Sequence, residues 1–215
     1  MNASKPVKGI LLYPGAGSDS NHSSLIRVED ALTPLPVRRA DFGYRKSGRR
    51  APDRAPVLLE AVRNEAADFA ASLHTTTAEL VLGGRSMGGR MCSIAVAGEP
   101  YSTPDAATCD AAALVLTPAP ALPAAGLVLI AYPLHPPGRP HVLRTEHLPR
   151  LDVACLFISG TRDQFATPDE LQQWTATIPG AVTHVWLEAK SHDLRGCDGA
   201  IAEAVVAWLE SLTCP

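Results

Sequence analysis

The stretch from Glu79 to Gly89 reads ELVLGGRSMGG, and how it is interpreted decides the fold. Glu79 to Gly83 is a short apolar run of the kind that is buried in a sheet. Arg90 to Ala97 is a small-residue segment that predicts a helix. Between them Gly84-Arg85-Ser86-Met87-Gly88 fits G-x-S-x-G, a pattern whose meaning comes from its place between strand and helix. A serine held on so sharp a turn needs neighbours without bulk two residues to either side, because backbone and helix approach closely there. Gly84 and Gly88 meet that need. A phosphate-cradling loop is the competing interpretation, but the chain has neither G-x-x-x-x-G-K-[ST] nor G-x-G-x-x-G.

The same alternation extends in both directions. Lys8 to Tyr13 (KGILLY) is a buried strand stopped by the loop Pro14-Gly15-Ala16-Gly17, and Val37 to Phe42 is a weaker strand. Pro52 to Leu73 carries Val57, Leu58, Ala61, Val62, Glu65 and Phe69 at helical spacing. Gly126 to Tyr132, Val153 to Ser159 and Val182 to Glu188 are further strands. Thr167-Pro168-Asp169-Glu170 opens a helix, and Asp198 to Leu212 is another, with Ile201, Val205 and Trp208 on one face. Near-continuous apolar strands separated by helices predict an α/β fold: a mostly parallel sheet of about six strands with helices on both faces and right-handed crossovers. An Ala-, Pro- and Thr-rich insertion at 101–125 interrupts the pattern. It holds an LVL run at Leu114 to Leu116 that recurs at Leu127 to Leu129. The later run is assigned to the strand because Tyr132-Pro133 follows it, and the insertion is expected over the sheet edge or the mouth of a site.

The 215 residues suit one domain spanning the chain, and 46% hydrophobic against 19% charged residues leaves ample material for a core. A net charge of -3, from 19 Lys and Arg against 22 Asp and Glu, lacks the basic excess of a dedicated nucleic-acid binder. No apolar run approaches the length of a spanning helix, and Met1 to Pro6 lacks the apolar core of a signal peptide, so a cytoplasmic protein with no membrane partner is expected. Cys92, Cys109, Cys155, Cys197 and Cys214 form no C-x-x-C pair and are expected to be free thiols.

A serine hydroxyl is a poor nucleophile until a base takes its proton, so Ser86 calls for a histidine and an acid in loops at the same sheet edge. His192, in KSHD between the last strand and the last helix, is the candidate base. His184 sits inside a strand, His74 ends a helix, and His22, His135, His141 and His147 precede the candidate acid. That acid is Asp163, which follows a strand through Gly160-Thr161-Arg162; Asp152 precedes the strand and Asp169 belongs to a helix start. The order Ser86, Asp163, His192 is the one found in α/β-hydrolases, unlike the chymotrypsin or subtilisin orders. Oxyanion donors are expected from the residue after the nucleophile, Met87, and from the loop after the first strand, Ala16, with Gly17 an alternative there. A plain βα turn remains open for that loop.

GGRSMGGR, YPGAGSDSNH, YPLHPPGRP, GTRDQF and the later SHD resemble the small α/β-hydrolases of the dienelactone-hydrolase-like group. More narrowly, they resemble the branch that includes a testis-expressed protein and a subunit of a chromatin acetyltransferase complex. The resemblance covers nearly the whole chain apart from the segment from Tyr101 to Ala125. It implies a compact α/β-hydrolase fold with Ser86, Asp163 and His192 as a triad that needs no cofactor. Serine stands where dienelactone hydrolases carry cysteine, so lactone specificity does not follow. The expected activity is hydrolysis of a small-molecule carboxylic ester or thioester through an acyl-enzyme.

Two other functions compete with it. Complex-associated branch members imply that the fold can serve as a non-catalytic interaction module. An anion binder could instead use Arg38, Arg39, Arg45, Lys46, Arg49, Arg50 and Arg54, opposed within their own segment only by Asp41 and Asp53. A solvated loop explains that segment better. The stiff run from Tyr132 to His141 could wall a pocket with His135 or Arg139, and Ser18, Asp19, Asn21 and His22 could line its mouth or cap the first helix.

Overall fold

The computed structural model describes residues 6–98 and 119–213. Its strands are β1 (Gly9–Tyr13), β2 (Val37–Arg39), β3 (Leu80–Arg85), β4 (Gly126–Ile130), β5 (Ala154–Gly160) and β6 (Val182–Leu187). They form one sheet in the order β2-β1-β3-β4-β5-β6, with every neighbouring pair parallel. The helices are α1 (Ser23–Leu32), α2 (Gly43–Lys46), α3 (Ala55–Ser72), α4 (Met87–Ala97), α5 (Pro168–Thr175) and α6 (Asp198–Thr213). The parallel α/β architecture expected from the sequence is therefore present.

Side chains alternate across each strand, and in the four central strands β1, β3, β4 and β5 both sets are buried, whereas the edge strands β2 and β6 are only partly covered. Leu11, Leu82, Leu129 and Phe157 pack with Phe69 of α3, Met91 of α4 and Leu171 of α5. Ile10, Val81, Val128 and Ile158 pack on the other face with Leu25 and Val28 of α1 and with Ile201, Val205 and Trp208 of α6. Burying each such side chain stabilises the fold by about 1.5–3 kcal/mol, which explains why the strands read as continuous apolar runs. Among the described residues no helix is long and apolar enough to cross a membrane.

The boundaries differ from expectation where tertiary contacts intervene. β4 stops at Ile130 instead of Tyr132 because Ala131 takes φ 50 and turns the chain out of the sheet. β2 ends at Arg39, and Phe42 leaves the strand to stack on Tyr13 with ring centroids 4.4 Å apart. α4 begins at Met87, three residues before the Arg90 start read from the sequence, so no loop separates β3 from the helix beyond Ser86 itself. Of the two LVL runs, Leu127 to Leu129 lie within β4, and Leu114 to Leu116 lie outside the described residues. Of the insertion, residues 101–118 lie outside the described residues. Its described end runs along the opposite end of the sheet from Ser86, with the Leu122 and Ala125 amides donating to the carbonyls of Ala95 and Leu80.

One feature of this topology creates a site. β1 and β3 are neighbours, yet β1 leads to α1 on one face and β3 leads to α4 on the other. The loops that leave their carboxyl ends diverge and open a crevice at this switch point.

Candidate active site

Ser86 stands at the corner between β3 and α4 with φ 46 and ψ −115, a conformation that costs about 1–3 kcal/mol and persists only where its surroundings enforce it. Its amide donates to Ile130 O at 2.8 Å, and its carbonyl accepts from the Arg90 amide at 3.0 Å. The glycines on either side permit the close approach. At Gly84, where φ is +142, a Cβ would lie 1.9 Å from Tyr13 O; at Gly88 it would lie 2.5 Å from Tyr13 O and 2.6 Å from Pro14 O. Gly88→Ala must push α4 away from β1, an overpacking that costs about 1–3 kcal/mol and lowers the melting midpoint by several degrees. A midpoint unchanged in a thermal melt would show that the helix does not press on the strand there.

Ser86, Asp163 and His192 converge from three different loops. His192 Nε2 lies 2.9 Å from Ser86 Oγ, and His192 Nδ1 lies 2.8 Å from Asp163 Oδ2 and 3.0 Å from Oδ1. A carboxylate facing Nδ1 requires the proton on that nitrogen, which leaves the Nε2 lone pair toward the serine hydroxyl. The Asp163 side chain is fully buried, and its Oδ1 also accepts the Phe165 amide at 2.8 Å. Phe165 in turn lies against the imidazole, with ring centroids 4.0 Å apart.

Backbone bonds join the loops that carry Asp163 and His192 to each other. Arg162 N donates to Lys190 O at 2.8 Å, Thr161 N to Leu187 O at 3.0 Å, and Ala189 N to Thr161 Oγ1 at 2.8 Å. Arg85 adds an anchor from beneath: its buried guanidinium donates to Asp193 O at 2.8 Å, fixing the loop that carries His192. Burial pushes the Arg85 pKa down, while Asp198, Asp193 and Asp163 oppose that shift.

Met87 is the first residue of α4, where N–H groups have no acceptor within the helix. Ala16 lies across from it in the loop after β1, and both residues line the space at Ser86. Tyr44 in α2 donates its hydroxyl to Ala16 O at 3.0 Å, which orients the peptides of that loop. Gly15 packs close to Ser86, whereas Gly17 has open space where a Cβ would be.

Two clefts meet at Ser86. The larger, about 530 Å³, is lined by Ser18, His22, Gln164, Ser191 and His192 among others. The smaller, about 320 Å³, is lined by Met87, Arg90, Pro133, Pro136, Pro137 and Arg144, and both share Ala16, Ser86 and Phe165. The prolines of the stiff run do wall a pocket, but His135 is buried with Nε2 3.6 Å from Glu170, and Arg139 is exposed outside the lining. His22 both lines the larger cleft and caps α1 by accepting the Ser24 amide; burial, then Arg85, lowers its pKa. Asp19 turns away to pair with Arg45 at 3.5 Å.

The rejected candidates lie elsewhere. Asp152 is exposed ahead of β5, and Asp169 sits in the first turn of α5 beside a capping box of Thr167 and Glu170. His184 Nε2 lies 2.9 Å from Thr175 Oγ1. His147 is buried with Ser93 and Tyr132, at 2.8 and 3.0 Å, and burial lowers its pKa to about 3. This cluster ties α4 to the chain after β4, and among the described residues no carboxylate is hydrogen-bonded to it, unlike Asp163 at His192.

Five of the seven basic residues pair with acids, Arg49 with Asp53 of the segment itself and Arg38, Arg39, Arg45 and Lys46 with acids outside it. Arg38 and Lys46 reach Glu65 at 3.1 and 3.7 Å, Arg39 reaches Glu29 at 2.6 Å, and Arg49 reaches Asp53 at 2.7 Å. None of the seven basic residues lines either cleft. Sequence reasoning missed Arg85, Phe165, Tyr44 and Arg90. Of these, only Arg90 carried a signal, its i+4 position after Ser86, which puts it on the same helix face.

Solved structures share this arrangement of strands and helices. Est1E from Butyrivibrio proteoclasticus, with ferulic acid bound, has a TM-score of 0.69 at 13% identity over 96% of this chain and 90% of its own. The propionate-bound thermophilic esterase Est2 from the Planctomycetes species Thermogutta terrifontis gives 0.66 at 15% identity, covering 99% and 86%. The esterase domain of a Rhodothermus marinus protein gives 0.63 at 17% identity, covering 98% and 89%. At these identities the likeness is one of fold. Residues 6–202 match the family model described as the alpha/beta hydrolase domain, and the chain belongs to that family.

Proposed function

We propose that this protein is a serine hydrolase that cleaves a carboxylic ester or thioester through Ser86, His192 and Asp163. The observation that carries this reading is the unbroken line of hydrogen bonds from Ser86 Oγ through His192 to buried Asp163. Est2 and the Rhodothermus marinus domain, which share the fold, are esterases by name, and this favours an ester among the bonds such a site can cleave.

The Ser86 hydroxyl attacks the substrate carbonyl carbon while His192 Nε2 takes its proton, and the carbonyl electron pair moves to oxygen. The Met87 and Ala16 amides receive that oxyanion. Asp163 holds the imidazole in register and stabilises its charged form. The intermediate collapses by breaking the bond to the alcohol or thiol, which takes the proton from His192. Water then gives a proton to His192 and attacks the acyl-enzyme, and Ser86 leaves with that proton as the acid is released. The balance is ester plus water to acid plus alcohol, with no further reactant. We also assign the chain to the dienelactone-hydrolase-like branch, on the motifs around Ser86, Asp163 and His192, and treat it as one domain.

Intact mass after exposure to a fluorophosphonate tests this without knowledge of the substrate. One adduct on the wild type, absent from Ser86→Ala and His192→Ala, is the expected result. A folded wild-type protein that takes no adduct would overturn it and make an interaction module the better reading.

A further inference from the structure

His22 stands where the loop after β1 enters α1, half-buried, and lines the larger of the two clefts. The Ser24 amide lies 3.3 Å from His22 Nδ1, and an amide N–H can only donate, so Nδ1 accepts. The Ser24 hydroxyl lies 3.0 Å from the same nitrogen and itself accepts from Arg85 Nη1 at 3.5 Å, which leaves its own proton for the imidazole. Burial, then the Arg85 charge, lowers the His22 pKa, so near neutral pH the ring is uncharged and carries its one proton on Nε2. The bonds to Nδ1 serve to cap α1, and no described residue takes the Nε2 proton.

Ser191, in the loop that carries His192, lines the same cleft with the opposite polarity. Its hydroxyl donates to Asp193 Oδ1 at 3.0 Å, and that bond, with one from the Arg195 amide, holds the Asp193 carboxyl below its usual range. With its proton directed to a carboxylate, Ser191 Oγ has only lone pairs left to offer. The cleft is thus lined by one residue set to donate and one set to accept. The neutral group that answers both is a hydroxyl.

Which half of a substrate lies there follows from the base. The leaving group departs beside His192, which protonates it, and His192 lines the larger cleft but not the smaller one.

We propose that the larger cleft is a leaving-group subsite for a polyol, with His22 as its specificity-determining residue: His22 Nε2 donates to one hydroxyl oxygen of the alcohol half, and Ser191 Oγ accepts the proton of another. The substrate class is the monoester of a polyol, cleaved with water to the acid and the free polyol, and the assignment of this cleft to the alcohol side rests on the serine-hydrolase reading above. An alkyl leaving group of the same length would cover the His22 N–H without pairing it, which is how a site built around such a bond rejects an analogue that lacks the partner.

The test compares the butyrate monoester of glycerol at a terminal hydroxyl with propyl butyrate, which differs only in lacking the free hydroxyls. The wild type is expected to favour the glycerol ester by about tenfold in kcat/KM. His22→Asn keeps a side-chain acceptor for the Ser24 amide, so α1 stays capped, but it has no group at the position of Nε2. It should bring the ratio toward one while its melting midpoint stays near that of the wild type. A wild-type ratio near one, or a ratio that His22→Asn leaves unchanged, would overturn the subsite.

A second arm needs neither turnover nor a folded His22 variant. The imidazole nitrogen resonances of His22, observed by NMR in Ser86→Ala, should report the Nε2-protonated form, and the glycerol ester but not propyl butyrate should shift Nε2. That selective shift in a protein whose wild type hydrolyses neither ester would keep the subsite and sink the hydrolase reading; hydrolysis of both esters at equal rates with no shift would do the reverse.

Discussion

If Ser86 is the nucleophile proposed above, Ser86→Ala is expected to lower the turnover of an activated ester such as para-nitrophenyl acetate by about a millionfold. The size follows from what the hydroxyl does. Without Oγ no acyl-enzyme forms, and His192 Nε2, 2.9 Å from that atom, has no proton to accept. The remaining rate would come from the proposed oxyanion amides and from holding the ester, which in triad enzymes leaves about 10³–10⁴ over water. His192→Ala should fall by a similar factor, because an unassisted serine is nearly as inert as none. The double variant should be little worse than either single one, since the groups act as a unit. Steady-state kinetics of the three variants check this directly. If the single losses multiplied, or if Ser86→Ala kept more than a few per cent of the wild-type rate, the nucleophile would have to be sought elsewhere.

Asp163→Asn is expected to cost about 10⁴ in turnover, for a reason specific to this loop. Asp163 Oδ1 already accepts the Phe165 amide at 2.8 Å, so an asparagine would keep its carbonyl oxygen there. Its NH₂ group would then occupy the position of Oδ2, facing His192 Nδ1 at about the present 2.8 Å. A donor there forces Nδ1 to accept, and the imidazole proton moves to Nε2, the nitrogen that must accept from Ser86. The base is thus held in the wrong tautomer with its geometry nearly intact. The loss should appear in kcat with little change in KM, and fluorophosphonate labelling should slow in parallel. A loss of less than about tenfold would send the acid role to another group.

Much of this site was legible because it depends on local order. The strand-turn-helix around Ser86 is written in consecutive residues, and the glycines at Gly84 and Gly88 answer contacts with β1 that any such elbow makes. The loops carrying Asp163 and His192 follow strands β5 and β6, so the parallel topology delivers both to one edge. Boundaries were less legible. β4 ends where Ala131 turns, and β2 ends where Phe42 finds Tyr13, which are packing events between segments distant in sequence.

The sequence by itself determined the alternation of apolar strands and helices, the elbow, and the chain order of serine, acid and histidine, because periodicity and turn chemistry are properties of neighbours. Tertiary structure alone decided everything that depends on distance in space. It turned the apparent basic patch of Arg38 to Arg54 into ion pairs with Glu29, Glu65 and Asp19, residues invisible to a reading confined to that segment. It put Arg85 beneath the His192 loop and Tyr44 on the Ala16 carbonyl. It also placed Arg90 in the wall of the cleft beside Ser86, its Nε buried and without a hydrogen-bond partner among the described residues. Charge in a sequence is only a count; whether it is neutralised, anchoring or available is set by which side chains the fold brings within hydrogen-bond reach.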